Sequence, residues 1–364
     1  MTTPARKAEA DAVEQVFHLA LIELGVATVG EAIALWEDVP PMRRASTSAS
    51  WLRRAIQLVT TRRAQSRNLA RAYYRLVRAL RTGTTVADPY HPEPRYITLD
   101  VLRDEFAALT TGELPAPPQA GAADAPPATD TADPEEPVED DVDTSDADAD
   151  RILVEELDRL AEEEERLEAA AVAELELDLQ ALGPANLEKQ LDGIDTTQPG
   201  DDVDRLRADA HESAGARQAA AAARVAMDGA RSTIWNHASK DKRVVGYVRM
   251  SRTGTPCGWC AMLISRGFVR NPSFYRSEAS ATYSDGDKYH DNCHCYAVPM
   301  FSTEQYAESD LFALNRKYAE EWPRVTKGLS GKAAVSAWRY FIRQEQRAQR
   351  RAQVARPPTN VQEA

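Results

Sequence analysis

All four cysteines of this 364-residue chain, Cys257, Cys260, Cys293 and Cys295, fall in one short region. Two of its six histidines, His290 and His294, lie there too. Three chemistries use such a cluster. The first is redox cycling, since Cys-Gly-Trp-Cys is a C-x-x-C. Redox motifs of that kind follow a strand within a βαβ pattern. No parallel α/β pattern surrounds this one, and the second cysteine pair stays unexplained. The second chemistry is deamination, because Pro256-Cys257-x-x-Cys260 is half of the zinc deaminase signature. The other half needs His-x-Glu, and neither His211-Glu212-Ser213 nor His237-Ala238-Ser239 supplies it.

The third is a structural metal, which takes four thiolate or imidazole ligands at tetrahedral corners. C-x-x-C offers two thiolates from one turn, and H-x-x-C-x-C offers His290, Cys293 and Cys295 from a second segment. His294 alternates with its cysteine neighbours along a candidate strand and would face away from them. Cys257, Cys260, His290, Cys293 and Cys295 thus compete for four places around a structural zinc. Either the four cysteines bind it, or His290 replaces one of them. The alternative is a set of reduced thiols without metal.

The elements that would position this cluster are mostly helical. Val13 to Leu24 is apolar on one face. From Pro40 to Gly83 the chain has 11 arginines and no acidic residue. Leu69, Tyr73, Leu76, Val77 and Leu80 recur there at helical spacing, which predicts a long amphipathic helix ending near Gly83. Its apolar stripe reads as core. A solvated face mixes both signs, so Arg62, Arg63, Arg67, Arg71, Arg75 and Arg78 read as a surface for something acidic: DNA, another subunit, or an acidic segment of this chain.

Arg151 to Leu182 reads as one helix, with a short coiled coil as an option, although Glu164 interrupts its leucine seam. Asp201 to His237 is an alanine-rich helix. Val244–Met250 and Cys293–Phe301 read as strands. A short helix from Trp259 to Arg266 and a long polar loop lie between them. Helical segments follow at Thr303–Glu321 and Lys332–Gln346, and the tail from Arg347 reads as polar and frayed. The fold class is therefore mainly α with a small α+β, zinc-stapled C-terminal domain. Its divisions are 1–110, an acidic linker at 111–150, an amphipathic helix at 151–199, the cysteine-bearing domain at 200–346, and a flexible tail at 347–364.

The net charge of −13 comes from one place. Residues 111–150 hold 13 acidic side chains and no basic one, leaving 44 of each sign elsewhere. That segment has almost no large apolar residue, so burial cannot offset the entropy of ordering it, and it reads as disordered. No apolar run approaches the roughly 20 residues that cross a bilayer. The N-terminus has no secretory h-region. The expected setting is a cytosol that keeps thiols reduced, with no membrane partner.

Arg249–Gly267, RMSRTGTPCGWCAMLISRG, followed by Tyr289–Pro299, YHDNCHCYAVP, resembles the MuF-like minor capsid proteins of tailed phages, also called head morphogenesis proteins. The form is similar to that in phages of actinobacteria. Cys257, Cys260, His290, Cys293 and Cys295 are the core of the motif, with Arg249 and the Ser265-Arg266-Gly267 turn around it. ARAYYRLVR near Tyr73 resembles the N-terminal region of the same proteins. Many members carry a proline inside H-x-x-C, where this chain has Asp291 and Asn292.

The resemblance implies a virion protein present in few copies inside the head near the portal vertex, made in the host cytoplasm and assisting assembly. It implies the portal and the major capsid or scaffolding proteins as partners, together with packaged DNA. Eight basic residues and one acidic residue from Lys240 to Arg276, with Arg249, Arg252 and Arg266 among them, suit non-specific contact with a polyanion. The reading is non-enzymatic. Its rival is a metal-dependent nuclease, which needs a general base and an open metal position. No Ser/His/Asp or paired-Glu arrangement stands out to supply them. A host-directed effector is a third reading, disfavoured because Lys332 to Ala364 is too short for a toxin domain.

Overall fold

A computed structural model of the chain describes residues 3–40, 45–110, 151–251, 256–268 and 293–354. The acidic segment 111–150, His290, Arg252 and the last ten residues lie outside the described residues.

Three long helices form the body: α1 (Pro4–Glu37), α2 (Ala45–Thr82) and, later in the chain, α6 (Gly200–Lys240), each packed on the other two. α2 ends where Gly83 takes φ +76°, a left-handed conformation natural to glycine. Strand β1 (Thr84–Val86), β2 (Tyr96–Thr98) and helix α3 (Leu99–Thr110) follow. After the acidic segment come β3 (Arg151–Glu155), α4 (Leu160–Leu182) and α5 (Pro184–Asp192). β3 sits between β1, which it pairs in parallel (Thr84 opposite Leu153), and β2, antiparallel (Thr98 opposite Arg151).

The remaining elements are β4 (Gly246–Met250), α7 (Gly258–Ile264), β5 (Tyr296–Met300), α8 (Thr303–Glu308), a 3₁₀ turn at Asp310–Phe312, α9 (Ala313–Val325) and α10 (Gly331–Val354). β4 and β5 form an antiparallel pair with Val248 opposite Val298. The expected strands, the short helix before Arg266 and the mainly helical fold class are all present. Three expectations change. Residues 151–155 form a strand rather than the start of a helix, because Ile152 and Val154 fill the gap between two edges. The last helix runs past Arg347 to Val354. The boundary at 110 does not separate two cores, since one apolar cluster runs from Phe17 and Leu80 through Ile234 to Val298 and Phe312.

α1 and α6 differ in how fully they are used. α6 is buried along most of its length because alanine and glycine let its neighbours approach closely. At Gly229 an added Cβ would lie 2.5 Å from the Ser66 hydroxyl oxygen and 2.7 Å from the Arg63 carbonyl oxygen. Ser66 donates to the Ala226 carbonyl at 2.6 Å and accepts the Ala230 N–H at 3.1 Å, stitching α2 to α6. A Gly-to-Ala change inside a helix ordinarily gains about 1 kcal/mol. Gly229→Ala should instead cost about 1–3 kcal/mol, the usual penalty of overpacking. Urea denaturation reads the sign, and a gain in stability would contradict the close approach.

α1 buries one face, including Phe17, Leu21 and Trp36. Its other face leaves Val16, Leu19, Val26 and Ile33 exposed. By length and composition this helix could cross a membrane, which corrects the expectation that no segment approaches that threshold. Glu14 and His18 of this helix are buried, with Glu14 accepting the Tyr73 hydroxyl.

Candidate metal centre

The arginine row of α2 is not an open cationic surface. Arg63, Arg75 and Arg78 are buried. Arg63 pairs with Glu168 at 2.8 Å and Arg71 with Glu164 at 2.6 Å, while Arg67 reaches both carboxylates. Arg75 meets Glu93 and Glu105, Arg78 meets Glu155 and Asp241, and Arg62 meets Glu31. The acidic partners come from α1, α3, α4, β3 and the residues around them, so the charges are used inside the protein. Glu164, which breaks the leucine seam of α4, is buried because it serves Arg71 and Arg67. Burial pushes its carboxyl above the usual range, and the two arginines only partly offset this.

The cysteines do converge. α7 carries Cys260, and Cys293 and Cys295 immediately precede β5. The sulfurs of these three lie within 4.8 Å of one another, and all three residues are buried. The Cys260 and Cys293 sulfurs are 3.4 Å apart. A tetrahedral zinc with bonds of about 2.3 Å sets its thiolates about 3.8 Å apart, so this donor set fits a metal with small adjustments.

Cys257 stands beside the group at the N-cap of α7, half-buried, its sulfur accepting the Cys260 N–H at 3.4 Å. It remains a candidate fourth ligand, as does His290, which lies outside the described residues. His294 is not in the cluster. All four cysteines are free of disulfides.

The shell around the centre was not legible in advance. Arg231, buried on α6, donates to the carbonyls of Cys293 at 2.6 Å and Cys295 at 3.1 Å, and pairs with Asp228 at 2.7 Å. The sequence offers Arg217, Arg224 and Arg231 at seven-residue spacing in its alanine-rich stretch, with nothing to single out the last of them. Arg249 is buried on β4 with its guanidinium 3.9 Å from the Cys293 sulfur. It is therefore a neighbour of the cluster, not the exposed nucleic-acid contact that was expected. Asn315 of α9 ties the Arg249 carbonyl to the C-terminal helices at 2.7 Å. Arg266 lies in the turn after α7, where Gly267 takes φ +61°.

These contacts set the sulfur chemistry. Hydrogen bonds from Cys260 and then Cys295 hold the Cys293 thiol well below its usual range, helped by Arg231 and Arg249 against the cost of burial. Cys260 moves up, through its hydrogen bonds to Cys257, Cys293 and Cys295 and through burial. Cys295 is drawn down by Cys260, but the Cys293 thiolate and burial outweigh this and push it up to about 12. Because Arg231 fixes the backbone of both Cys293 and Cys295, Arg231→Met should weaken metal affinity by about 10–100-fold, as loss of supporting contacts does at metal sites. Competition with a chromophoric chelator measures it, and unchanged affinity would remove Arg231 from this role.

Residues 197–321 match the family model of the VG15 protein, a viral family, which supports a phage origin for the chain. The matched stretch takes in α6 with Arg231, both cysteine segments, the β4–β5 pair and Asn315. Searches of the curated proteins and of the solved structures return no match.

Proposed function

We propose that this chain is a minor structural protein of a phage head, of the MuF-like type found in phages of actinobacteria. In this reading it acts in head morphogenesis beside the portal and has no enzymatic activity. The observation that carries the proposal is the match to a phage family across the segment that builds the cysteine centre. The chemistry of that centre supports a structural role. Its three clustered thiols are each about 2% exposed, packed among Tyr318, Trp338 and Ile342. Hydrolysis needs a metal position that water and substrate can reach, whereas a staple is best kept dry.

The metal in this reading is zinc, held by Cys260, Cys293 and Cys295 with Cys257 or His290 completing the tetrahedron. It would tie α7 to the strand pair through the small apolar cluster around the thiols. The partners are the portal and the major capsid or scaffolding protein, and the place of action is the capsid interior after assembly in the host cytoplasm.

Quantitative mass spectrometry of purified virions and procapsids tests the reading. A low, fixed ratio to the portal is the expected result. Absence from every particle would end it and return the metal-dependent nuclease to consideration.

A further inference from the structure

With the α2 row paired internally, free cationic surface must be sought elsewhere, and α10 carries it. Lys332, Arg339, Arg343, Arg347, Arg350 and Arg351 are exposed. Among the described residues none of the six has a carboxylate partner. The one acidic residue of α10, Glu345, is taken by Lys317 at 2.6 Å. At 3.6 residues per turn, Lys332, Arg339, Arg343 and Arg350 fall within about 40° of arc, with Arg347 alongside. They make a straight stripe about 27 Å long at 1.5 Å rise per residue.

α10 is held by its apolar face, centred about 120° around the helix from the stripe, and by contacts at the edge of the stripe itself. Ala334, Trp338 and Ile342 are buried, the last two among the cysteines. Gln346 donates to the Pro256 carbonyl at 3.0 Å. α7 approaches so closely that a Cβ on Gly258 would lie 2.8 Å from Cγ of Arg339. The stripe is therefore displayed on a rigid seat.

We infer that this face of α10 binds the phosphate backbone of duplex nucleic acid without reading sequence. Four features favour that partner. The charges are mostly arginine, whose planar fork suits phosphate oxygens. They are collinear, and duplex DNA presents about one charge per 1.7 Å of axis along such a line. They lack the mixed signs of an ordinary solvated face. The apolar side of the helix is occupied, so α10 cannot lie in a membrane interface as amphipathic lipid-binding helices do. The inference stands on this surface alone and not on the head-assembly reading.

The test is fluorescence anisotropy of the full-length protein with a 30-base-pair duplex of arbitrary sequence. Four phosphate contacts predict a slope of log affinity on log salt of about −3.6, a loss of about 150-fold between 50 and 200 mM salt. The triple variant Arg339→Gln/Arg343→Gln/Arg350→Gln should weaken binding at least tenfold at 50 mM and bring the slope to about −1. Glutamine keeps good helix propensity, so circular dichroism should be unchanged. Arg53→Gln, an exposed arginine on α2, serves as the control and should bind as the parent does.

Four results would overturn the inference. They are no binding at 50 mM salt, binding indifferent to salt, a triple variant that binds normally, or a control that weakens equally. Binding to polyglutamate or to phosphatidylserine vesicles without binding to the duplex would reassign the stripe to an acidic protein or a lipid surface.

Discussion

If the cluster is a zinc staple as proposed, Cys293→Ser will empty it and unfold the C-terminal satellite core while leaving the long-helix body folded. Cys293 is the sulfur whose surroundings most favour the thiolate, and it stands 3.4 Å from Cys260. The core around it is small: α7, α9 and α10 contribute Met262, Leu263, Tyr318, Trp338 and Ile342 to a cluster separate from the main one. Structural zinc supplies about 10–16 kcal/mol of binding free energy in small domains. That is as large as the whole contribution of these five apolar side chains at about 1.5–3 kcal/mol each, so losing most of it should tip this core toward unfolding.

Bound zinc, measured by plasma mass spectrometry, should drop from about one per chain to near none, the content of one tetrahedral site. Hydrogen exchange should show lost protection in α7, α9 and α10 and retained protection in α1, α2 and α6. Comparing Cys257→Ser with His290→Ala identifies the fourth ligand, since only one of them should release the metal. A parent protein without metal, and a Cys293→Ser variant of normal stability, would mean that the cluster is packing between reduced thiols.

Asp241→Ala should cost about 3–5 kcal/mol, the range for breaking a buried ion pair from one side. Asp241 follows α6 and is buried against Arg78 of α2, whose Nε donates to it at 2.6 Å. It also accepts the Tyr74 hydroxyl at 2.8 Å and the Arg243 N–H at 2.9 Å. Burial alone would raise its carboxyl, but Arg78 and these N–H and O–H donors outweigh that and hold it below the usual range.

Removing the carboxylate leaves a buried guanidinium with Glu155 and Thr84 as its remaining side-chain partners. The same change at an exposed pair such as Arg54–Asp38 should cost less than about 1 kcal/mol. Urea denaturation distinguishes them. A cost below 1 kcal/mol for Asp241→Ala would show that water reaches Arg78 readily. Adding Arg78→Met should recover part of the loss, because an apolar side chain needs no partner there.

Local patterns were readable where local physics decided them. The cysteine spacing, the two strands flanking the cluster, and the helical period from Leu69 to Leu80 all follow from neighbours a few residues apart. The arginine face of α2 was visible as an anomaly, but its meaning was not. The acids that neutralise Arg71 and Arg78 stand 93 and 163 residues away, where no period connects them. Glu164 looked like a flaw in a leucine seam for the same reason. Residues 151–155 resist a local reading because three apolar residues, Ile152 to Val154, between Arg151 and Glu155 are compatible with either a strand or a first helical turn. Arg231 was missed because burial of an arginine depends on two carbonyls that arrive from 62 and 64 positions downstream.

The position of β3 has a consequence for how the chain can be cut. The acidic segment leaves from α3, next to β2, and returns into β3, which hydrogen-bonds β2 itself. It is an excursion from one small sheet and joins no two bodies. A protease that nicks anywhere in 111–150 would therefore release nothing: the fragments 1–110 and 151–364 share a core and should co-purify until denatured.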